Sequence, residues 1–186
     1  MGNERWLHRE INQLSPISDF VILEIGAGDG SLIRKLARLY PQAKCFGYDL
    51  QPQPAHLPAN VTWYSGDIRN ARLPHREENT PIIFICSMFL HHFEDAELSL
   101  FRQWIEHCDA AIIVEPWRNH FVKFLSLCIY PFCNSVTKHD MRVSIEAGFC
   151  GEDLTNQLTL PPSWSKKIIH HWLGSYRLIL QRHETD

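Results

Sequence analysis

The sequence predicts an α/β fold built on a parallel sheet with helices on both faces. Between residues 20 and 115, short apolar runs rich in β-branched residues alternate with segments whose apolar residues recur every three or four positions. The first run, residues 20–25, is typical of a strand that is covered on both faces. Two later runs, residues 166–172 and 176–181, flank a short turn that suits an antiparallel hairpin.

The individual elements follow from the same periodicities. An amphipathic helix is predicted over residues 4–14, because Leu7, Ile11 and Leu14 share one face. Glu94 and Asp95 suit the N-terminal end of a helix whose apolar residues continue to Cys108. The remaining elements are a helix over residues 32–40 and strands over residues 43–48, 61–65, 82–87 and 112–116.

A loop with glycine at every second position follows the first strand. Gly26, Gly28 and Gly30 allow a tight turn and a close approach of the backbone to a ligand. The dinucleotide fingerprint needs its third glycine one position later, where this chain has Ser31. Glu24, two residues before the loop, disfavours a diphosphate. We therefore favour a phosphate-free adenosine cofactor over NAD, with a purely structural turn as the remaining alternative.

Two acidic residues follow the next two strands. Asp49, before Leu50, lies about twenty residues after the glycine loop, where an acid can accept hydrogen bonds from both ribose hydroxyls. Asp67, before Ile68, can accept a hydrogen bond from an adenine amino group. In series with the loop, the two acids predict an adenosine site.

These motifs resemble the class I S-adenosylmethionine-dependent methyltransferases. The similarity rests on residues 23–30, 48–49 and 65–68 and continues through residues 82–93 and 112–116. It implies a Rossmann-like sheet of seven strands with one antiparallel strand, and S-adenosylmethionine as the cofactor. The cofactor-binding residues that the resemblance implies are Glu24, Gly26, Ala27, Gly28, Gly30, Asp49, Leu50, Asp67, Ile68 and Ser87.

The methyl acceptor is expected on the side of the fifth strand. Residues 136–149 are similar to short bacterial methyltransferases associated with polyketide and quinone-type chemistry. Residues 121–133 are strongly apolar but contain Lys123 and are too short to span a membrane, so they predict a core or lid helix. Contact with a membrane surface is a further alternative for this run. We expect residues 117–150 to form a lid on the substrate side that accommodates a small, apolar acceptor.

Three histidines are candidate catalytic bases. His91 and His92 follow the fourth strand, and His139 precedes Asp140, which can orient its ring. The alternative for each is a histidine that only makes structural hydrogen bonds. Arg118 is a candidate partner for Glu115 or for an acidic acceptor, and the two rings of residues 170 and 171 point to opposite faces of a strand, which disfavours a shared metal.

Composition narrows the functional class. The 186 residues are 45% hydrophobic, which suits a single domain over residues 1–186. The net charge is −3 and the basic residues are scattered, which disfavours a nucleic-acid partner. The sequence has no signal-peptide pattern and no membrane span, so we expect a cytoplasmic protein. The six cysteines lack paired metal-ligand spacing and are expected to be reduced, with a zinc site of Cys128, Cys133 and His139 as a minor alternative.

The sequence therefore predicts methyl transfer from S-adenosylmethionine to an oxygen or activated carbon of a small, apolar aromatic or quinone-like acceptor, without a metal. Two alternatives share the same cofactor loop. One is an NAD-dependent oxidoreductase, and the other is a non-catalytic protein that binds the cofactor and acts as a partner subunit. The pattern does not indicate an oligomeric state.

Overall fold

A single sheet of seven strands organises the computed structural model, which describes residues 2–14, 19–77, 79–123 and 134–183. The strands are β1 (Val21–Ile25), β2 (Lys44–Asp49), β3 (Val61–Ser65), β4 (Ile82–Ser87), β5 (Ala110–Pro116), β6 (Trp164–His171) and β7 (Ser175–Arg182). Their order is β3-β2-β1-β4-β5-β7-β6, and β7 runs opposite to the other six strands, antiparallel to both β5 and β6. The predicted seven-stranded sheet with one antiparallel strand is confirmed.

Five α-helices lie with both ends inside the described residues, in addition to the helical residues 120–123. They are α1 (Gly2–Leu14), α2 (Ser31–Leu39), α3 (Asp95–Glu106), α4 (Ser135–Ala147) and α5 (Asp153–Leu158). Short 3₁₀ turns form at Ile68–Asn70 and Leu90–His92. Glu94 caps α3 reciprocally with Glu97, so the acidic start predicted for this helix is confirmed with its cap.

The core divides into two layers because side chains alternate along each strand. Ile22 on β1 packs with apolar residues of α1 and α2, whereas Leu23 packs on the opposite face with α3 and α5. Strands β1, β4 and β5 are buried along nearly their whole length, as their apolar sequences predict. Helices therefore cover both faces of the sheet, as predicted.

The strand order reverses between β1 and β4. From β1 the chain proceeds through β2 to β3 on one side of this point, and it then crosses to β4 and proceeds to β5 on the other side. In open α/β sheets a ligand binds in the crevice at this point, beyond the carboxyl ends of the strands. Helix α4 borders the same edge, where it contacts β5 and the turn Leu90–His92.

The apolar run over residues 121–133 is only partly covered by the structure. Residues 120–123 are helical, and residues 124–133 lie outside the described residues, together with the predicted lid core and Cys128 and Cys133. Within the described ranges, no helix has the length and apolar character needed to cross a membrane. In the same ranges Cys45, Cys86 and Cys108 are buried free thiols, and Cys150 is an exposed one.

Candidate functional site

The end of β2 is hydrogen-bonded to the glycine loop. The Gly28 amide donates to Asp49 Oδ2 over 2.7 Å, and the Gln51 amide donates to Asp49 Oδ1 over 2.9 Å. Each carboxylate oxygen has a second acceptor position, so Asp49 retains capacity for the two hydroxyls of a ribose. The structure thus brings Asp49 and the glycine loop together, as the sequence predicts.

Gly26 and Gly28 both have a left-handed backbone conformation, but their surroundings differ. Gly26 has φ +71°, and a Cβ placed on it would lie 2.2 Å from Cγ of Phe89, whose ring packs directly on the loop. Gly28 has φ +57°, but a Cβ there would have no atom within 4 Å. Gly26 therefore serves packing within the protein, whereas Gly28 leaves backbone open to a ligand.

The other predicted loop residues have supporting roles. Ala27 is buried, and its carbonyl accepts a hydrogen bond from the Gly30 amide over 2.9 Å. A Cβ on Gly30 would lie 2.9 Å from Cγ of Pro54, so the loop packs against the proline-rich segment after β2. The glycine loop is therefore held by contacts with both neighbouring connections.

A cavity of about 320 Å³ lies beside the ends of β2 and β3 and is called the cofactor-side cavity below. The predicted cofactor residues that line it are Asp49, Leu50, Asp67 and Ile68, together with the predicted base His92. Asp67 accepts hydrogen bonds from the backbone and side chain of Arg69, and the backbone bond is the main cause that lowers the pKa of its carboxyl. Asp67 is therefore an anionic acceptor at neutral pH.

Glu24, on β1 just before the loop, lines neither the cofactor-side cavity nor the larger cavity described below. Its side chain is buried, and its Oε2 has no hydrogen-bond partner. Burial raises the pKa of this carboxyl, and the charges of Asp49 and Asp29 raise it further. The unpartnered acid, the spare acceptors of Asp49 and the open backbone at Gly28 fit an adenosine cofactor whose second half is cationic.

A buried carboxylate controls the turn after β4. Glu115, fully buried at the end of β5, accepts hydrogen bonds from the amides of Phe89 and Leu90 over 3.0 and 2.9 Å. It also contacts Nδ1 of His91 over 2.6 Å. Arg118, a candidate partner for Glu115 from sequence, does not pair with it: its exposed side chain binds Asp153 over 2.6 Å.

The two adjacent histidines differ in environment. The His91 side chain is buried against Glu115, whereas His92 is exposed and lines the cofactor-side cavity. The two ring centroids are 4.1 Å apart. Although part of the His92 residue is open to solvent, desolvation of its ring is the main cause that lowers its pKa; His91 lowers the pKa further, while Glu115 opposes the shift. His92 is therefore a neutral imidazole at neutral pH.

A second cavity of about 580 Å³ lies beyond β5 and is called the acceptor-side cavity below. Its apolar lining includes Met88, Val122, Met141, Ile145 and Leu173, and its polar lining includes Asn3, Thr137, Asp140, Ser144 and Ser175. Met88 is half exposed and has φ +57°, an uncommon conformation for a residue other than glycine. The cavity is mainly apolar, with polar groups on α1, α4 and the β6–β7 turn.

The site differs from the sequence expectation at three positions. His139 is exposed on α4 and does not line the acceptor-side cavity, whereas its neighbour Asp140 does. Ser87 is half-buried at the end of β4 and lines neither cavity. Asn3 was not predicted at all, because its partners on β7 lie more than 170 residues away in sequence and no local pattern signals such a contact.

A family model and the curated relatives that match this chain are all methyltransferases. Residues 22–110 match the family described as "Methyltransferase domain". Uncharacterized methyltransferases of Mycobacterium tuberculosis and Mycobacterium bovis are 28% identical over 96 residues, which are 50% of this chain and 47% of each relative. The chain thus spans about half the length of the curated relatives it matches.

Solved structures share the fold at low sequence identity. One is the plantazolicin methyltransferase BpumL, in complex with a triazolic desmethylPZN analog and SAH. It has a TM-score of 0.76 at 12% sequence identity, and the match covers 98% of this chain and 84% of the BpumL chain. A putative O-methyltransferase of Nostoc punctiforme has a TM-score of 0.67 at 12% sequence identity, and the match covers 98% of this chain and 56% of that chain. Human N-acetylserotonin methyltransferase, in complex with SAM, has a TM-score of 0.58 at 17% sequence identity, and the match covers 95% of this chain and 51% of that chain.

The different roles of the two glycines predict different costs of substitution. Gly26→Ala adds a steric clash with Phe89 to the left-handed backbone strain and is expected to lower the free energy of unfolding by about 3 kcal/mol or more. Gly28→Ala, the matched control, adds only the strain and is expected to cost about 1 kcal/mol. Urea unfolding followed by circular dichroism measures both. Equal losses in the two variants contradict the assignment of Gly26 to packing.

Proposed function

We propose that this chain, a class I S-adenosylmethionine-dependent methyltransferase by its family match and sheet topology, methylates an oxygen or activated carbon of a small, apolar aromatic or quinone-like acceptor. The observation that carries the proposal is the pair of cavities at the carboxyl edge of the sheet. One is lined by Asp49 and Asp67 and the other is mainly apolar. Consecutive residues of one turn, Met88 and Phe89, line the two cavities.

In this proposal the cofactor-side cavity holds the adenosine of S-adenosylmethionine. Asp49 accepts hydrogen bonds from the ribose, Asp67 accepts one from the adenine amino group, and the backbone at Gly28 borders the rest of the molecule. The cofactor, when bound, supplies an electrophilic methyl group on a sulfonium. The family match favours this cofactor over the nicotinamide alternative.

The acceptor-side cavity supports the proposed acceptor class. Its apolar lining from Met88, Met141 and Leu173 suits an aromatic ring system, and burial of such a ring excludes water from the methyl-transfer step. The names of two structural neighbours are consistent with this acceptor class, since one is named for N-acetylserotonin and another is named as an O-methyltransferase. Transfer of a methyl group is an in-line displacement, so the main task of this cavity is to align the acceptor.

We propose His92 as the candidate base because it combines a lowered pKa with an exposed ring, in the turn that follows Met88 and Phe89. Its ring lines the cofactor-side cavity, so in this role it meets an acceptor whose reacting oxygen or carbon extends past Met88 and Phe89 toward the cofactor. His91 is placed to support His92, since its own ring is committed to Glu115. His139 stays a prediction from sequence and has no such geometry. A neutral imidazole suits removal of a proton from a phenol or enol.

Loss of the Asp49 carboxylate is expected to weaken cofactor binding. Asp49→Ala removes two ribose hydrogen bonds and is expected to reduce the affinity for S-adenosylhomocysteine by about 2 to 3 kcal/mol in isothermal titration calorimetry. Asp19→Ala, which changes an exposed acid before β1, is the control. Unfolding curves recorded alongside separate weak binding from loss of structure. An unchanged affinity contradicts the ribose assignment, and no binding by folded wild type at millimolar ligand contradicts the whole proposal.

The role of His92 predicts a pH dependence with a defined sign. Because its pKa lies below the ordinary histidine value, the neutral form persists to lower pH, and activity should fall only as the pH drops through that lowered value. NMR titration of the ring gives the pKa, and methyl transfer to a panel of polyphenols and quinols gives the profile. His92→Gln should abolish turnover, whereas His183→Gln, on an exposed residue, should not. Full activity of His92→Gln would remove it as the base.

A further inference from the structure

The hydrogen bonds of Asn3 fix the orientation of its side-chain amide. Its Oδ1 accepts from Arg177 Nε over 3.1 Å, from Arg177 Nη2 over 2.6 Å and from Ser175 Oγ over 3.1 Å. A guanidinium has only donors, so the atom it binds must be the carbonyl oxygen rather than the amide nitrogen. The Nδ2 group is thereby turned away from Arg177.

Arg177 is itself held firmly. It lies on β7 with 5% of its surface exposed, and its guanidinium stacks 4.8 Å from the centre of the Trp6 ring. Burial lowers the pKa of Arg177, and Arg9 lowers it further, but a guanidinium remains protonated at neutral pH. The charged guanidinium therefore binds the Asn3 oxygen through two donors, which polarises the amide toward stronger donation from Nδ2.

Asn3 also lines the acceptor-side cavity, opposite residues of α4. Its Nδ2 donates to no residue in the described part of the chain, since all of its hydrogen bonds there use Oδ1. Ser175, which lines the same cavity, has its hydroxyl on the Asn3 oxygen. Two N–H donors are thus present on a residue that lines a largely apolar cavity, and no acceptor for them is found among the described residues.

We infer that Asn3 determines acceptor specificity by donating a hydrogen bond from Nδ2 to an oxygen of the methyl acceptor, while Arg177 and Ser175 position the amide. The inference deepens the proposed function and rests on it for the identity of the ligand as a methyl acceptor. It selects acceptors that carry a carbonyl, phenolate or ring oxygen on an aromatic skeleton. A hydrocarbon of the same shape fills the cavity without satisfying the amide.

The substitution Asn3→Asp separates this role from a structural one. The aspartate keeps an oxygen for Arg177 and Ser175, so the anchoring of α1 should be preserved, but it replaces the two N–H donors with an acceptor. Asn12→Asp is the matched control: it makes the same change on the same helix, where the Asn12 oxygen accepts from Tyr40 instead. The free energy of unfolding should be retained in both variants.

The probes are 1-tetralone, a neutral bicyclic ketone, and tetralin, its parent hydrocarbon. NMR titrations of the whole chain, with and without S-adenosylhomocysteine, give the ratio of the two affinities. The ketone should bind about tenfold more tightly than the hydrocarbon to wild type and to Asn12→Asp, and this preference should vanish in Asn3→Asp. A ratio near one in wild type, a ratio retained in Asn3→Asp, or failure of both probes to bind overturns the inference. The probe titrations do not require turnover. Failure of S-adenosylhomocysteine to bind would overturn the proposed function, and it is measured independently of the affinities for the two probes.

Discussion

The Glu115 carboxylate is the interaction on which the rest of the site depends. It sits fully buried at the end of β5 and binds the amides of Phe89 and Leu90 and the ring of His91. The turn after β4 is therefore fixed by the strand beside it. An uncompensated carboxylate at this depth is strongly unfavourable, so the turn and the strand end stabilise each other.

The turn that Glu115 fixes also contacts the glycine loop. With the turn fixed, the ring of Phe89 lies directly on Gly26, and the preceding residue, Met88, lines the acceptor-side cavity. Asp49 holds the other side of the loop through the Gly28 amide. The ends of β1, β2, β4 and β5 are thus connected, and the two cavities lie on either side of a single turn. Such a connection suits a reaction in which two bound molecules must be aligned.

The fold could be predicted from sequence because its determinants are local. Apolar runs such as residues 20–25 specify buried strands, and the spacing from Gly26 to Asp49 specifies the cofactor loop with its acid. The antiparallel position of β7 came from the resemblance, since periodicity alone does not order strands. The predicted and observed bounds of the strands agree to within two residues at every end, as short apolar runs allow.

The acceptor side of the site was less predictable because it depends on contacts between distant segments. The pairing of Asn3 with Arg177 joins the two ends of the described chain, and the choice of Glu115 between Arg118 and His91 depends on how β5 meets the turn after β4. Sequence indicated histidines near this edge, but the rotation of α4 placed Asp140 rather than His139 on the cavity. Side-chain direction around a helix or turn is set by packing, which residue types alone do not encode.

The proposed cofactor position, between the glycine loop and the ends of β2 and β3, can be tested by backbone amide NMR of the chain titrated with S-adenosylhomocysteine. The largest chemical-shift changes are expected at Gly28, Asp49 and Asp67, with little change on the far edge at β6. Shifts centred elsewhere on the protein, with these three amides unmoved, would contradict that position.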